Sequence, residues 1–144
     1  MILDKEQMFS DGQAVTASAA STNYIDLGAV RDIAIGEPLE VLFVAPEAAQ
    51  SAGASTLVIS LETDSQSSFA TKVTLAQSGV IAKSAITAGA ELWRPKVPAG
   101  VQRYLRAFYT VGVADLTAGT FTAGILLDRA AHAYPPRGDH VDGF

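Results

Sequence analysis

The feature that most constrains how this chain can fold is an alternation of apolar and polar residues with a period of two. In residues 56–62, the apolar Leu57, Ile59 and Leu61 alternate with other residues. Those other residues are the polar Thr56, Ser60 and Glu62, with Val58 as the exception. Because side chains along a β-strand point alternately to opposite faces of the sheet, this pattern predicts strands with one buried face. Alternation, or enrichment in β-branched and aromatic residues, predicts strands at 39–44, 56–62, 71–77, 101–113 and 120–128.

Short segments rich in glycine, proline and small polar residues separate the predicted strands, at 51–53, 64–68, 88–89, 98–100 and 118–119. Such residues are typical of turns. No stretch shows the 3.6-residue period of an amphipathic helix, although the loop at 45–54 has room for one helical turn. The pattern predicts an all-β fold, an antiparallel sandwich or barrel, the group that includes jelly rolls. Neither a repeat nor a linker is visible, so residues 1–144 are predicted to form one domain.

The two ends of the sequence differ from this central part. Residues 13–22 are almost entirely alanine, serine and threonine, which favours an extended segment lying on a surface over a helix. We therefore predict an N-terminal arm at 1–22. The prolines of Tyr134-Pro135-Pro136 exclude a strand interior, and residues 130–144 are predicted to be an extended C-terminal tail.

Composition and charge narrow the classes of partner. The net charge of −5 disfavours nucleic acid, whose binding normally requires a basic surface. Only 17% of the residues are charged, against about a quarter in an average domain, which favours burial of some surface against a partner. Residues 1–7 do not resemble an export signal, and no apolar run approaches the roughly 20 residues that cross a bilayer. We expect a protein made in the cytoplasm that does not bind membranes.

Motifs for catalysis and cofactor binding are missing from the sequence. It contains no phosphate-binding glycine loop, no G-x-S-x-G elbow and no cysteine. Its two histidines belong to a group of possible metal ligands in the predicted tail, namely His132, Asp139, His140 and Asp142. Metal sites are normally built on rigid elements with supporting partners, so a solvated tail is the favoured interpretation. The sequence predicts neither an enzyme nor a cofactor or metal site.

Basic and aromatic residues lie close together in the second half of the chain. The basic ones are Arg94, Lys96, Arg103 and Arg106. Alternation along a strand would place Arg106 on one face with Tyr104 and Phe108, as in an oligonucleotide-binding sheet. Ion pairs at a sandwich edge, or a protein interface, are the favoured interpretations. Trp93 is either a core residue near a turn or an exposed residue that anchors an interface.

Seven segments carry a family resemblance through their order and spacing. They are MILDK (1–5), FSDGQAVTASAASTN (9–23), YIDLG (24–28), RDIAIGEPL (31–39), YLRAFYTV (104–111), TAGTFTAGI (117–125) and YP (134–135). Together they resemble the capsid cement, or decoration, proteins of tailed bacteriophages, of the type found in a Bordetella phage. The resemblance spans nearly the whole chain.

This resemblance implies a jelly-roll-like β-sandwich with extended N-terminal and C-terminal arms, which binds the outside of an icosahedral capsid. The partner would be a major capsid protein of the HK97-like fold, contacted at capsomer junctions, and the cement protein would stabilise the expanded shell. Self-association is expected as a homodimer, with a trimer left open. The residues predicted to contact the capsid are Leu3, Phe9, Val15, Trp93, Arg94 and Arg103. The alternative is a jelly-roll module that binds carbohydrate or another protein, away from any capsid.

Overall fold

The computed structural model describes residues 4–31, 33, 36 and 39–126, and these residues form an all-β fold. Helical structure within them is limited to two 3₁₀ turns, Lys5–Gln7 and Lys83–Ala85. The strands are β1 (Met8–Ala14), β2 (Ala19–Ala20), β3 (Ile25–Asp26), β4 (Glu40–Gln50), β5 (Thr56–Asp64), β6 (Val73–Gln77), β7 (Ile81–Ala82), β8 (Ala90–Trp93), β9 (Tyr104–Gly112) and β10 (Ala118–Leu126).

The strands form two antiparallel sheets. Sheet A has the order β1-β10-β4-β8, and sheet B has the order β2-β9-β5-β6. β3 continues the pairing of β2 along β9, and β7 pairs with β5, the strand that also carries β6. If β2 with β3 and β6 with β7 each count as one interrupted strand, the sheet orders become 1-8-3-6 and 2-7-4-5. That is the eight-strand jelly roll, and it confirms the predicted sandwich.

Aromatic side chains from both sheets meet in the core between them. Tyr109 of sheet B stacks on Phe121 of sheet A, with ring centroids 5.3 Å apart, and meets Phe43 of sheet A edge-on at 6.5 Å. The Tyr109 hydroxyl donates to Ser10 Oγ at 3.0 Å. Ser10 Oγ in turn donates to Gln13 Oε1 at 2.8 Å. This chain of hydrogen bonds ties β9 to β1 through the centre of the sandwich.

The strands with the clearest alternation are confirmed, with shifted ends. β4 extends to Gln50, past Pro46, so residues 45–50 of the segment that had room for a helical turn form a strand instead. Pro46 is tolerated because the pairing of β4 with β10 shifts register between Val44 and Glu47, and prolines in sheets sit at such bulges. The short strands β2, β3, β7 and β8 were not predicted, since two to four residues cannot establish a period.

The N-terminal segment is extended, as predicted, but from Met8 onward it is an integral strand rather than a surface arm. β1 pairs with β10 and places Phe9 in the core with no exposed surface. Val15, just after β1, is also buried. The glycine in the middle of β1, Gly12, has φ +58° at the second of two register shifts. The predicted tail at 130–144 lies outside the described residues.

Candidate interaction surfaces

Trp93 and Arg94 form a corner at the β8 edge of sheet A. The Trp93 ring is half-buried and stacks on Phe43, with centroids 5.4 Å apart. Arg94 Nη2 donates to Glu91 Oε2 at 2.6 Å, and Nη1 lies 4.0 Å from Glu40 Oε2. Stacking on Phe43 holds the Trp93 ring in place. Because two carboxylates face the Arg94 guanidinium, its positive charge is already paired.

Two polar atoms of this corner are buried without a hydrogen bond among the described residues, Arg94 Nε and Glu40 Oε2. Buried polar atoms normally have a partner, and each unpartnered one has an energetic cost. Their side chains remain 27% and 13% exposed, so water reaches the edge of the pair.

Arg103 forms a bidentate ion pair at the start of β9. Its Nε and Nη2 donate to the two carboxylate oxygens of Asp26 at 2.8 and 2.9 Å. The Arg103 hydrogen bond, followed by one from the backbone amide of Gly28, lowers the pKa of Asp26 to about 2. The amide of Leu27 also donates to the Arg103 carbonyl, at 2.9 Å. This pair therefore fastens β3 to β9.

Three aromatic rings lie beside this ion pair, and we call Tyr24, Phe69 and Tyr104 the aromatic cluster. Tyr24 meets Phe69 and Tyr104 edge-on, with centroids 6.0 and 5.6 Å apart. The Arg103 guanidinium lies 4.9 Å from the Tyr104 centroid. Tyr24 is 50% exposed, whereas Phe69 is buried, so Tyr24 supplies the accessible ring. Tyr and Arg side chains in such packed settings are typical of binding hot spots.

Behind the aromatic cluster, the outer face of sheet B carries a second set of paired charges. The Arg106 guanidinium lies 4.2 Å from the Phe69 centroid and donates to Glu62 Oε2 at 2.8 Å. Lys72 Nζ lies 3.4 Å from Glu62 Oε1 and 4.8 Å from the Phe108 centroid. Both cations share the carboxylate of Glu62, an arrangement that fits the predicted ion pairing better than an oligonucleotide-binding face.

The Asp64 carboxylate fixes the loop that carries Phe69. It accepts hydrogen bonds from the backbone amides of Gln66 and Thr71, at 3.0 and 2.8 Å, and from the Thr71 hydroxyl. Burial alone would raise the pKa of Asp64, but these hydrogen bonds together lower it below its ordinary value. Phe69 adopts φ +52°, which is rare for a residue other than glycine, and the fixed loop makes that conformation possible.

The opposite end of the sandwich, where β4 leads into β5 and β9 into β10, exposes apolar side chains near the carboxylate of Asp115. Val80 and Val113 are 72% and 81% exposed there. A groove of about 450 Å³ is lined by Ala52, Gly53, Ala54, Ser55, Thr56, Ala82, Lys83 and Ser84. We call the two valines and this groove the valine end.

A family model described as Bbp16 matches residues 9–125 of the chain, from the second residue of β1 to the penultimate residue of β10. The chain belongs to the Bbp16 family. Bbp16 is a family of Bordetella phage proteins, and its match takes in all the strands described above. No curated protein matches the chain significantly.

The six residues predicted to contact a capsid have different positions in this Bbp16 sandwich. Leu3 lies outside the described residues. Phe9 and Val15 are core residues instead, since the inter-sheet packing leaves their side chains no surface for a partner. Trp93 and Arg94 lie at the edge of sheet A and Arg103 lies on sheet B, so the structure does not join them into one patch.

The exposed large apolar residues of the Bbp16 sandwich that sequence reasoning missed include Tyr24, Val80 and Val113. Tyr24 ends a small-residue string, and its ring partners are distant in sequence, so nothing local predicts the aromatic cluster. A local signal exists for Val113, because a valine follows Gly112 at a turn where glycine or a short polar residue is usual.

Neither a cluster of metal ligands nor a membrane-spanning helix is present among the described residues. Within them, no three His, Cys, Asp or Glu side chains are grouped as metal ligands would be. The four possible ligands considered from the sequence, His132, Asp139, His140 and Asp142, lie outside the described residues. No helix in the described part of the chain is long and apolar enough to cross a membrane.

Proposed function

We propose that this Bbp16 protein is a structural capsid cement protein that binds the outside of an HK97-like phage shell at capsomer junctions and stabilises it. The observation that carries the proposal is the extent of the family match, which runs from β1 to β10 and makes the whole sandwich the unit of a phage protein family. Five of the seven segments that resemble cement proteins lie within the same residues 9–125 and support the narrower role.

The physical properties of the sandwich suit this role. Arg94 is held by Glu91 of the adjoining strand β8, and Arg103 by Asp26 of β3, so the surface is already ordered before a partner arrives. A preorganised surface loses little entropy on binding. A cement protein also acts in many copies on one particle, so a modest interface repeated over the shell is sufficient.

The proposal includes the partners and the location. The major capsid protein is the binding partner, and a second copy of the chain is expected to complete a homodimer, with a trimer as the other arrangement. The protein is made in the host cytoplasm and then resides on the exterior of the virion capsid. It has no catalytic role and requires no cofactor.

Co-sedimentation tests this function directly. Purified protein is mixed with expanded shells that are assembled from the major capsid protein of the same phage and lack the cement protein. We expect saturable binding at a fixed number of copies per shell, and an increase in the temperature at which the shells disassemble, because a ligand that binds the assembled state stabilises it. Bovine serum albumin at the same concentration serves as the non-binding control. Protein that stays in the supernatant would contradict the proposal.

One observation supports the alternative of a carbohydrate-binding module. The half-exposed Tyr24 ring lies beside the Asp26–Arg103 pair, and an aromatic face next to charged hydrogen-bonding groups is suited to a sugar ring. A glycan-binding screen separates the two functions. The cement role predicts no specific glycan, whereas a sugar that binds to the sandwich and is lost in Tyr24→Ala would favour the alternative.

A further inference from the structure

One peptide bond of β1 joins a chemically reactive pair of residues. Asp11 is followed by Gly12. Among aspartate sequences, this pair closes most readily to a succinimide, because glycine has no side chain to hinder the ring. A second Asp-Gly pair, at 142–143, lies outside the described residues. Within the described part of the chain, this bond is therefore where isomerisation of aspartate is chemically easiest.

The nucleophile of this reaction is the amide nitrogen of Gly12. It forms a bond to Cγ of the protonated Asp11 side chain and gives up its proton, while the hydroxyl of the carboxyl group leaves with that proton as water. Water from the solvent then opens the ring. Cleavage between the nitrogen and Cγ restores aspartate. Cleavage between the nitrogen and the main-chain carbonyl carbon gives isoaspartate instead, whose main chain is one carbon longer.

The geometry of β1 requires a glycine at this position. The pairing of β1 with β10 gains one residue between Ser10 and Gln13, so Asp11 and Gly12 together face Thr122. Two residues opposite one is the arrangement of a β-bulge. Gly12 has φ +58°, in the left-handed region that disfavours residues with a side chain. The reactive pair is therefore part of the strand geometry.

The nucleophilic atom is held by a hydrogen bond across this bulge. The Gly12 amide donates to Thr122 Oγ1 at 2.9 Å. The Asp11 carboxylate, in contrast, is exposed and has neither a hydrogen bond nor an ion pair within the described residues. A succinimide nitrogen carries no hydrogen, so closure of the ring must break the bond to Thr122. The fold thus restrains the attacking nitrogen and leaves the carboxylate unrestrained.

The acceptor of this bond has a fixed position. Thr122 belongs to β10, which lies between β1 and β4, and Thr122 pairs with Val44 of β4. β1, by comparison, is an edge strand and pairs with β10 alone. The Gly12 amide is therefore anchored to the interior of sheet A rather than to another mobile edge.

We propose that Asp11–Gly12 is a site of isoaspartate formation that the Thr122 hydroxyl protects in the folded protein. Thr122 slows the reaction because it holds the proton that the Gly12 nitrogen must lose. The extra main-chain carbon of an isoaspartate would displace the rest of β1 along β10. This inference does not depend on the capsid role, and its test uses the free protein.

Replacement of the Thr122 hydroxyl tests the protection. Folded proteins are incubated at neutral pH below their unfolding temperature, and isoaspartate at residue 11 is measured over time by methylation with protein isoaspartate methyltransferase and peptide mapping. Thr122→Val keeps the shape of the side chain and removes the acceptor, so isomerisation is expected to be about fivefold faster, the effect of one hydrogen bond. Thr122→Ser keeps the hydroxyl and is expected to react like the unmodified protein.

A matched control separates this local effect from a general loss of stability. Thr63 Oγ1 accepts a hydrogen bond from the Gln102 amide at 2.9 Å, so Thr63→Val removes the same kind of bond from sheet B. Its rate at Asp11 is expected to equal that of the unmodified protein. Asp11→Glu verifies the position of the signal, because a glutamate would have to close a larger ring and reacts far more slowly.

The same measurement in concentrated urea gives the rate without the fold. There, unmodified protein and Thr122→Val are expected to isomerise equally fast, and faster than the folded unmodified protein. Faster reaction of folded Thr122→Val, with Thr122→Ser and Thr63→Val unchanged, supports the proposal. Equal rates for folded Thr122→Val and unmodified protein would overturn it. Equal acceleration by both valine variants, or a folded rate as high as the rate in urea, would overturn it as well.

Discussion

At the scale of single residues, Tyr109 links the two sheets through both its ring and its hydroxyl. The ring packs between sheets, and the hydroxyl donates to Ser10 in an environment without solvent. Burial is the main reason that the pKa of Tyr109 is raised to about 12. The folded protein therefore keeps this proton at a pH where an exposed tyrosine loses it.

Removing that hydroxyl is expected to lower stability. Tyr109→Phe leaves the Ser10 hydroxyl without this buried donor and should reduce the free energy of unfolding by about 1 kcal/mol, measured by urea denaturation. Tyr104→Phe is the matched control, since no hydrogen bond to the Tyr104 hydroxyl is found within the described residues. Equal stability of both variants would mean that the bond to Ser10 contributes nothing.

The same residue gives a prediction for alkaline pH. Above pH 10.0, the ordinary pKa of tyrosine, the unfolded chain loses the Tyr109 proton, while the folded protein retains it up to about pH 12. The unfolded state then binds fewer protons, so the free energy of unfolding decreases as pH rises through this window. In Tyr109→Phe the decrease should be smaller. Identical slopes for both proteins would contradict the raised pKa.

Phe9 shows why the position of a residue in the fold decides its role. It was predicted to contact the capsid, yet it has no exposed surface. Phe9→Ala is expected to cost about 3–5 kcal/mol of stability through lost burial and a cavity, measured by denaturant unfolding. Val30→Ala, at an exposed site, should change stability little. A Phe9 variant that is stable but fails to bind shells would restore the interface role.

At the scale of elements, the short strand β3 depends on one ion pair. Two strand residues provide little pairing of their own, and the Asp26–Arg103 bonds provide the rest of the attachment to β9.

The edge strands of both sheets are likewise short or irregular. β1, β6 and β8 each have a register shift, and β2 and β3 are only two residues long. Bulged or short edges are poor templates for an added strand, so side-chain surfaces are the better candidates for recognition.

Asp26→Asn is therefore expected to loosen β3. Hydrogen exchange at the Leu27 amide, which donates to the Arg103 carbonyl, should become faster, while exchange in β5 stays the same. Asp115→Asn, at an exposed carboxylate, is the control. Unchanged exchange at Leu27 would show that strand pairing alone holds β3.

The acid dependence of the same pair has a definite sign. The pKa of Asp26 is lowered to about 2 by its bonds from Arg103 and Gly28, so its contribution to stability is complete above its ordinary value of 3.8. That contribution is lost as pH falls from 3.8 towards 2, where the unfolded chain binds the proton first. Asp26→Asn should show a shallower loss of stability across this window.

At the scale of the whole molecule, the sequence predicted the sheets better than the surfaces. Long strands such as β5 and β9 were predictable because alternation sustained over most of nine residues is rarely produced by anything except a half-buried strand. β1 was not, because its single large aromatic, Phe9, lies among small residues that resemble an arm. The jelly-roll strand order came from the family resemblance, since alternation does not determine which strands pair.

The candidate surfaces were predictable only in part. Arg103 was singled out from the sequence as a candidate, but its ion-pair partner Asp26 is 77 residues away, and only the fold brings them together. The aromatic cluster depends in the same way on the loop that carries Phe69. The valine end is formed by turns from separate parts of the chain, and its strained valine is a property of backbone geometry that composition does not encode.

The position of β10 has a consequence for how copies of this protein are made. The first strand, β1, finds its place in sheet A only against β10, the last described strand, which also bridges to β4. Nearly all of residues 9–125, which the family model matches, must therefore emerge from the ribosome before sheet A can form. A prematurely terminated chain lacks the strand that joins β1 to β4. Only chains that are translated through β10 can therefore complete sheet A.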